Sequence, residues 1–314
     1  MSAKEPLLRV EDLCMYFSSK NHVTRAAQNV SFEINEGETY GLVGESGSGK
    51  STIGRCVIRL YEPTSGKIYL KGTDISGALD KEKKELLYKN IQMIFQDPMS
   101  SLNPRKTAEE IVGEGLDIHH LYDSRQERKE KILRILSMVG LSPEQAGRYP
   151  AQFSGGQRQR IGIARALVME PSLIIADECI AALDVSIQAQ VVNMLRRIKN
   201  ELGTSFLFIS HDLSMVRYLS DKIGVLHLGF LLESGTSDEI FSNPVHPYTR
   251  SLISAIPSPN PLVQLKEREY YDMEKDGVYY DNGSWHLIEG THKVWCTDAE
   301  YKKWTSDKLK EGRS

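Results

Sequence analysis

A glycine-rich loop between an apolar strand and a helix constrains this chain more than any other feature. The pattern G-x-x-x-x-G-K-[ST] is matched by the consecutive residues Gly44, Glu45, Ser46, Gly47, Ser48, Gly49, Lys50, Ser51 and Thr52. The loop follows the apolar run 39–43 and leads into a helix-like segment, which is the context the pattern requires. Glycines let backbone N–H groups surround a phosphate, and a helix N-terminus attracts the anion. We therefore predict a nucleoside-triphosphate site.

Two side chains of this loop have distinct expected roles. Lys50 is placed to contact the β- and γ-phosphates, and Ser51 is placed to bind Mg²⁺. The spacing of the three glycines does not fit G-x-G-x-x-G, which disfavours a dinucleotide site. The alternative is a flexible turn, but a chance match is expected in only roughly one chain in a hundred of this length.

Two adjacent carboxylates end a later apolar strand, Leu173 to Asp177. Successive side chains of a strand point in opposite directions, so Asp177 and Glu178 should have different functions. Asp177 is suited to be an outer ligand of Mg²⁺, whereas Glu178 can accept a proton from an attacking water or orient it. A solvated strand end is the alternative, and the phosphate loop upstream favours the functional interpretation.

The order of the predicted elements indicates an α/β fold. Residues 7 to 75 form a β-rich layer around the phosphate loop, and residues 82 to 149 are helical and charged. From residue 157 onward, helices and strands alternate in the way that is typical of parallel βαβ units. We predict one main domain over residues 1–257, with a helical subdomain at about 98–160.

Residues 258–314 are predicted to be a small C-terminal appendage after a proline-rich linker. The run VYYDNGSWHLI predicts a hairpin with Asn282-Gly283 at its turn. Thr297 and Glu300 predict a capping box that opens a last helix. The tryptophans of this segment are expected to pack a small core or to dock on the main domain rather than to bind a ligand: Trp285, Trp295 and Trp304.

Composition excludes several classes of protein. A formal net charge of −3 argues against a protein held to nucleic acid by a strongly basic surface. The four cysteines contain no CxxC pair, so neither a zinc ribbon nor a disulfide framework is expected, and a reducing cytosol fits. The first residues lack an apolar signal region, and no apolar run approaches the ~20 residues of a spanning helix. Any membrane association is expected to come through a partner.

The residues that point to a family lie just before the Asp177 strand. The segment resembles the signature sequence of ABC ATPases and consists of Phe153, Ser154, Gly155, Gly156 and Gln157. A serine and glycines at a helix N-terminus are suited to a second phosphate. The resemblance implies that this segment binds the γ-phosphate of the nucleotide held by another protomer. Two subunits would then close head-to-tail over two ATP molecules.

Other positions match the same family in order along the chain. Gln96 resembles the Q-loop glutamine that senses Mg²⁺ and water, and His211 resembles the switch histidine that contacts the γ-phosphate. Residues 181–184 resemble the D-loop, and Phe17 stands where the family stacks an aromatic ring on adenine, with Tyr16 as the competing candidate. The resemblance implies a P-loop NTPase (RecA-like) core with an antiparallel β subdomain and an ABC helical subdomain.

The implied ligands and functional residues follow from these matches. ATP and Mg²⁺ are the expected cofactors, with the ion held by Ser51, Gln96 and Asp177. The catalytic residues implied by the resemblance, together with the phosphate loop, are Glu178, His211, Gln96 and Lys50.

Three stretches narrow the resemblance to the dipeptide, oligopeptide and nickel importer ATPases. They are Phe95 to Pro104, Asp184 to Gln190 and Asn243 to Thr249. The tail is similar to that of the second (F-type) ATPase subunits of oligopeptide importers. The implied partners are a second, paralogous ATPase subunit, two membrane permeases and an extracytoplasmic peptide-binding protein. The implied location is the cytoplasmic side of the cell membrane, as a peripheral subunit.

Two residues depart from the family pattern. Cys179 replaces the proline after the catalytic glutamate, and Ala181 replaces the D-loop serine. We expect catalysis to survive both changes, while the second could weaken signalling between protomers. Only Cys296 lies beyond the Asn243–Thr249 stretch, so no iron–sulfur cluster is expected. The alternatives are an importer of nickel or another small solute, and a soluble ABC ATPase that acts on DNA or ribosomes.

Overall fold

The chain folds around two β-sheets. The structure, a computed structural model, describes residues 5–19, 22–96, 101–181, 183–256, 269–273 and 280–311. Strands β1 to β12 span Leu8–Ser19, His22–Ile34, Thr39–Val43, Ser65–Leu70, Thr73–Asp74, Ile91–Ile94, Leu173–Asp177, Ser205–Ser210, Lys222–His227, Phe230–Thr236, Ser284–Glu289 and His292–Cys296. Helices α1 to α10 span Lys50–Val57, Lys81–Asn90, Ala108–His119, Arg125–Met138, Gly155–Leu167, Val185–Leu202, Leu213–Leu219, Ser237–Ser242, Pro247–Ser254 and Asp298–Glu311. Short 3₁₀ turns span Pro143–Gln145, Pro150–Gln152 and Tyr280–Asn282.

The larger sheet has the strand order β11-β12-β10-β9-β3-β8-β7-β6. Its members β9, β3, β8, β7 and β6 are parallel, as the alternation of predicted strands and helices indicated. Strands β3, β7 and β8 are buried along their whole length, because helices or the second sheet cover both faces. Parallel strands place their carboxyl ends at one edge, where the phosphate loop and Asp177 both lie.

The smaller sheet is antiparallel, with the order β2-β1-β4-β5, and corresponds to the β-rich layer predicted for residues 7 to 75. It packs against the main sheet through one apolar cluster, which includes Leu42 of β3, Ile175 of β7 and Leu207 of β8. In this cluster Phe32 of β2 stacks on Tyr40 of β3, with ring centroids 4.9 Å apart. Ile53 and Cys56 of α1 are fully buried in the same cluster. Helix α1 is therefore clamped between the sheets, which fixes the end of the phosphate loop.

Helices α3, α4 and α5 pack together as the predicted helical subdomain. Leu116 of α3, Ile132 of α4 and Ile161 of α5 are buried in a shared apolar cluster. Arg128 donates two hydrogen bonds to the carboxylate of Asp117, at 2.6 and 2.7 Å, and so joins α4 to α3. Helix α5 continues beyond the predicted end of the subdomain at about 160 into the main core. Residues 97–100, where the subdomain was predicted to begin, lie outside the described part of the chain.

The C-terminal strands extend the main sheet. Strand β12 pairs antiparallel with β10, and β11 pairs with β12. Val294, Cys296 and Trp304 are buried in the same apolar cluster as Phe230 and Tyr248. The described part of the segment is thus packed against the main domain. The boundary at 257/258 stays a prediction, and the predicted linker falls almost entirely on residues that are not described.

The predicted hairpin turn at Asn282-Gly283 is wrong. Asn282 ends a 3₁₀ turn, and the two strands are connected instead at Gly290-Thr291, with Glu289 opposite His292. Gly290 adopts a left-handed φ of 54° that suits glycine, and Thr291 Oγ1 donates to Glu239 at 2.7 Å, which anchors the turn. A tertiary contact thus fixes the register.

The predicted capping box of the last helix is confirmed. The Thr297 backbone N–H donates to Glu300 at 2.7 Å, and the Glu300 N–H donates to Thr297 Oγ1 at 3.3 Å. In the described part of the chain, every helix is too short or too polar to cross a lipid bilayer.

Candidate nucleotide-binding site

The phosphate loop connects β3 to α1, and its shape depends on two glycines. Gly44 has a φ of 156°, and an added Cβ would lie 2.0 Å from the Leu226 carbonyl oxygen. Gly49 has a φ of 106°, and an added Cβ would lie 2.0 Å from the Ala26 carbonyl oxygen. Only glycine fits between these carbonyls and the loop. The loop therefore lies directly against β2 and β9.

Lys50 lies beneath the loop. Its Nζ donates to the carbonyl oxygens of Gly44 and Glu45, both at 2.7 Å, and to Ser48 Oγ at 3.3 Å. The residue is only 3% exposed, and this burial lowers the pKa of the amine, while nearby carboxylates act to raise it. The ammonium group therefore holds the first half of the loop in place.

Ser51 and Asp177 meet where α1 faces the end of β7. Ser51 Oγ donates to Asp177 Oδ1 at 2.6 Å. Asp177 is 2% exposed, and burial raises the pKa of its carboxyl group, which the Ser51 hydrogen bond opposes. A hydroxyl and a carboxylate at hydrogen-bond distance are hard oxygen donors of the kind that Mg²⁺ prefers. These two predicted metal ligands are thus brought together.

Glu178 lies between two other predicted residues. Gln96 Nε2 donates to Glu178 Oε2 at 2.9 Å, and His211 Nδ1 lies 3.4 Å from Glu178 Oε1. Glu178 has a left-handed φ of 43°, and its N–H donates to the Ile209 carbonyl at 2.9 Å. The chain turns at this residue, so its carboxylate faces Gln96 while that of Asp177 faces Ser51. Gln96 therefore contacts the predicted catalytic base, and its role as a metal ligand stays a prediction.

A cleft of about 660 Å³ brings most of the predicted residues together. Its walls include predicted residues from four parts of the chain: Phe17, Ser46, Gly47, Gly49, Lys50, Ser51, Thr52, Gln96 and Glu178. A second cavity of about 370 Å³ shares Ser46 and Glu178 with it, and is also lined by Gly44, Glu45 and His211. Of the predicted loop residues, Ser48 is buried beneath the loop, where it contacts Lys50.

Phe17, rather than Tyr16, lines this cleft. Its ring is 39% exposed and meets Tyr61 edge-on, with centroids 5.5 Å apart. Tyr16 lies instead beside the guanidinium of Arg25, 5.9 Å from the ring centroid. An exposed ring on the cleft wall, with one edge already supported, can stack on a planar base.

The sequence did not identify seven other residues of the cleft wall. Six come from β2, and one from the turn between β9 and β10: His22, Val23, Thr24, Arg25, Ala26, Gln28 and Leu228. The pairing of β1 with β2 places Thr24 opposite Phe17. Knowledge of that register would have revealed the β2 residues, but single-sequence patterns do not specify it.

The signature segment lies away from this cleft. Ser154 caps α5, because its Oγ accepts from the Gln157 N–H at 3.3 Å and its own N–H donates to Gln157 Oε1 at 3.0 Å. Ser154 and Gly155 are exposed, and neither cavity described above is lined by Gly156 or the other signature residues. Within one chain, the structure therefore does not bring together the two helix ends that are predicted to bind phosphate.

The two departures from the family pattern follow Glu178 directly. Cys179 is buried, and burial raises the pKa of its thiol to about 12, so it behaves as a small apolar side chain. The Ala181 N–H donates to the Glu178 carbonyl at 3.0 Å. Residue 182 of the predicted D-loop lies outside the described residues.

Similarity to known proteins establishes the family of this chain. A family model described as ABC transporter matches residues 27–181, and one described as Oligopeptide/dipeptide transporter, C-terminal region, matches residues 232–276. The oligopeptide transport ATP-binding protein OppF of Bacillus subtilis is 50% identical, with 95% of this chain and 98% of the relative covered. The chain belongs to the ABC transporter family. AmiF of Streptococcus pneumoniae, also an oligopeptide transport ATP-binding protein, is 48% identical, with 96% and 98% covered.

Solved ABC cassettes have the same fold. The cassette MJ0796, in a dimeric post-hydrolysis state bound to ADP and Pi, is 30% identical with a TM-score of 0.67, covering 73% of this chain and 98% of that one. CbiO1 of Clostridium perfringens is 26% identical with a TM-score of 0.67, covering 76% and 92%. These likenesses confirm the predicted P-loop ABC fold. This ABC protein is accordingly a nucleotide-binding ATPase.

Proposed function

We propose that this ABC ATPase energises the import of oligopeptides. The observation that carries the chemical part is the Glu178 carboxylate, which lines the phosphate-loop cleft between Gln96 and His211. Similarity to oligopeptide transport ATP-binding proteins along almost the whole chain supports oligopeptides as the cargo. The family model of the oligopeptide/dipeptide transporter C-terminal region, over residues 232–276, supports the same branch.

In the proposed mechanism, Glu178 accepts a proton from the water that attacks the γ-phosphate. General-base action of this kind typically contributes about 10²- to 10⁴-fold in rate. Gln96 orients the carboxylate through its 2.9 Å hydrogen bond, and His211 contacts the γ-phosphate from the other side. Lys50 and the backbone N–H groups of the loop hold the phosphates. Phe17 stacks on the adenine ring.

Ser51 and Asp177 would hold Mg²⁺, with Gln96 as the third ligand. Ser51 Oγ and Asp177 Oδ1 lie 2.6 Å apart, so the two residues would supply neighbouring oxygen donors to the ion. When bound, Mg²⁺ neutralises charge on the β- and γ-phosphates.

A second ATPase subunit would complete each site. The helix end formed by Ser154, Gly155, Gly156 and Gln157 would bind the γ-phosphate of nucleotide held by the partner. Its exposure, and its absence from the cleft of its own chain, support this arrangement. We propose that the partner is a paralogue, so that two composite sites form head-to-tail.

A groove beside Gln96 would receive the permeases. It has a volume of about 430 Å³, and three apolar side chains around it are exposed: Phe95 by 37%, Leu60 by 58% and Ile118 by 65%. Apolar surface of this kind suits a helix presented by an integral membrane partner. Two permeases would hold the chain at the cytoplasmic face of the cell membrane, and the peptide-binding protein would act through them. No nucleic acid is involved.

Hydrolysis by the reconstituted complex tests the proposal. We expect oligopeptides, presented with the binding protein, to stimulate ATPase activity, whereas nickel ions do not. Glu178→Gln should retain ATP and lower turnover by about 10²-fold or more. Glu170→Gln, which removes an exposed carboxylate paired with Arg134, is the matched control. If the Glu178 variant hydrolyses ATP at the parental rate, the assigned base is wrong.

Copurification with permeases tests the docking groove. Ile118→Lys should prevent assembly and leave ADP binding unchanged, because the groove lies outside the nucleotide cleft. Leu287→Lys is the matched control, since Leu287 on β11 is also 65% exposed. Normal assembly of the Ile118 variant would contradict the proposed surface.

A further inference from the structure

A buried tyrosine outside the nucleotide cleft contacts the phosphate loop directly. The backbone N–H of Glu45 donates to Tyr248 Oη at 3.0 Å, and Tyr248 is 1% exposed at the start of α9. The carbonyl of the same peptide unit, that of Gly44, accepts from Lys50 Nζ at 2.7 Å. The peptide that begins the phosphate loop is therefore held on both sides. Lys50 holds one side, and Tyr248 holds the other.

Tyr248 is itself fixed by buried polar contacts. Its N–H donates to His246 Nδ1 at 3.0 Å, and the His246 N–H donates to Glu233 Oε2 at 2.9 Å. The other oxygen of Glu233 lies 2.7 Å from His292 Nε2, and both side chains are at most 1% exposed. His292 belongs to β12, so a C-terminal strand helps to hold the start of α9. The position of Tyr248 thus depends on the segment after residue 257.

A second route connects the C-terminal segment to the same tyrosine. His227 packs against the Tyr248 ring with centroids 4.2 Å apart, and its Nδ1 lies 2.7 Å from the Tyr280 hydroxyl. The Tyr280 hydroxyl also lies 2.7 Å from that of Tyr271. Burial lowers the pKa of His227 to about 4, so the ring is neutral at neutral pH and places no charge beside the loop.

The residue after Tyr280 faces the nucleotide cleft from another side. Asp281 Oδ1 lies 3.9 Å from Nη1 of Arg25, a cleft-wall residue. This exposed pair is worth little energy by itself. It shows that the turn Tyr280–Asn282 lies beside the cleft.

We propose that Tyr248 is a positioning residue for the phosphate loop, and that the turn Tyr280–Asn282 supports it through His227. Neither tyrosine is among the residues that line the main cleft; they act through the Glu45 peptide and the His227 ring. The inference rests on nucleotide binding at the phosphate loop, as proposed above. Its consequence is that the C-terminal segment sets the affinity for nucleotide.

The expected loss of affinity follows from the fraction of molecules whose phosphate loop is competent to bind nucleotide. Without the Tyr248 hydroxyl, the Glu45 N–H loses its partner, and the loop spends part of its time in arrangements that do not bind phosphate. Apparent affinity then falls in proportion to the competent fraction. A single hydrogen bond of ordinary net strength corresponds to a change of about two- to tenfold.

The test uses the full-length chain and ADP with Mg²⁺, measured by calorimetry so that hydrolysis does not consume the ligand. Tyr248→Phe and Tyr280→Phe keep both rings and remove only the hydroxyls. Each should raise the dissociation constant for ADP by about two- to tenfold. Tyr270→Phe is the matched control, because Tyr270 is 85% exposed, and it should bind ADP like the parent.

A steady-state measurement on the reconstituted complex separates positioning from catalysis. In both variants KM for ATP should rise, while kcat at saturating ATP should change by less than about twofold, because bound phosphates restore the loop. The double variant should lose less affinity than the product of the single losses, since both hydroxyls act on one loop.

Three outcomes would overturn the inference. The first is an ADP dissociation constant for Tyr248→Phe equal to that of Tyr270→Phe. The second is a lower melting temperature with unchanged affinity, which would make the contacts structural only. The third is a double variant whose loss of ADP affinity equals the product of the two single losses. A parent chain that binds no ADP would overturn the proposed function as well, whereas a binding parent with unaffected variants overturns the inference alone.

Discussion

Glu178 and Asp177 are adjacent in sequence but occupy different environments. Asp177 is buried against Ser51, and Glu178 turns away into the cleft on a left-handed backbone with a φ of 43°. The alternation of strand side chains predicted that the two would separate. It did not predict the left-handed turn, because non-glycine residues rarely adopt it and only the surrounding contacts stabilise it.

The loop glycines offer a test at the residue scale. Gly49→Ala should lower the free energy of unfolding by about 3 kcal/mol or more, since the new Cβ meets a backbone carbonyl at 2.0 Å and a φ of 106° is strained for alanine. Urea denaturation of the ligand-free chain measures the change. Gly47→Ala is the control: its φ is 82°, but no described atom lies within 4 Å of the new Cβ. It should cost about 1–2 kcal/mol. Equal losses in the two variants would refute the steric argument.

At the scale of elements, local patterns predicted most of the fold. The phosphate loop, the strand before Asp177 and the helix after Phe153 all carried strong sequence signals, and the structure places them as expected. The prediction of a hairpin turn near residue 282 was wrong. The turn forms instead at Gly290-Thr291, where a hydrogen bond from Thr291 to Glu239 stabilises it. The Tyr248 contact with Glu45 joins residues 203 positions apart, and no local pattern encodes such a pairing.

Glu239 joins α8 to the turn between β11 and β12. It accepts from Thr236 and from both the N–H and the hydroxyl of Thr291. Burial acts to raise the pKa of Glu239, but these hydrogen bonds outweigh it and lower the pKa to about 2. The ionised carboxylate therefore stabilises the fold above about pH 4.5, and this contribution is lost as the pH falls toward 2.

Glu239→Gln should consequently be less stable than the parent at pH 7. The difference in free energy of unfolding should shrink as the pH falls from about 4.5 to 2, because the parental carboxyl then becomes neutral too. Chemical denaturation across this range measures it. Glu289→Gln, which neutralises an exposed carboxylate of β11, should show no such convergence. A pH-independent difference for the Glu239 variant would contradict the assignment.

At the scale of the whole molecule, the C-terminal strands β11 and β12 belong to the same sheet as β3 and β7, which lead into the phosphate loop and Asp177. Strand β12 covers the edge of β10, and Trp304 is buried in the main core. Composition and linker signals suggested an appended module, but they carry no information about which sheet edge a later strand will cover.

Truncation after Ile256 tests this arrangement. The shortened chain should lose at least about 3–5 kcal/mol of stability, because a buried tryptophan alone contributes that much and the Glu233 carboxylate loses His292. Soluble yield and the melting temperature measure the loss. Removal of residues 312–314 alone should have no effect. A truncated chain that melts at the parental temperature would establish residues 258–314 as an independent appendage.

The covering of β10 by β12 also orders events during synthesis. Roughly sixty residues separate these strands, so at about 5–20 residues per second a ribosome needs several seconds to supply the second after the first. During that delay, β10 lacks its partner strand β12, and the proposed support of the phosphate loop by the C-terminal segment is missing. Synthesis of β12, rather than of the motif-bearing segments, would then be the step that completes the sheet.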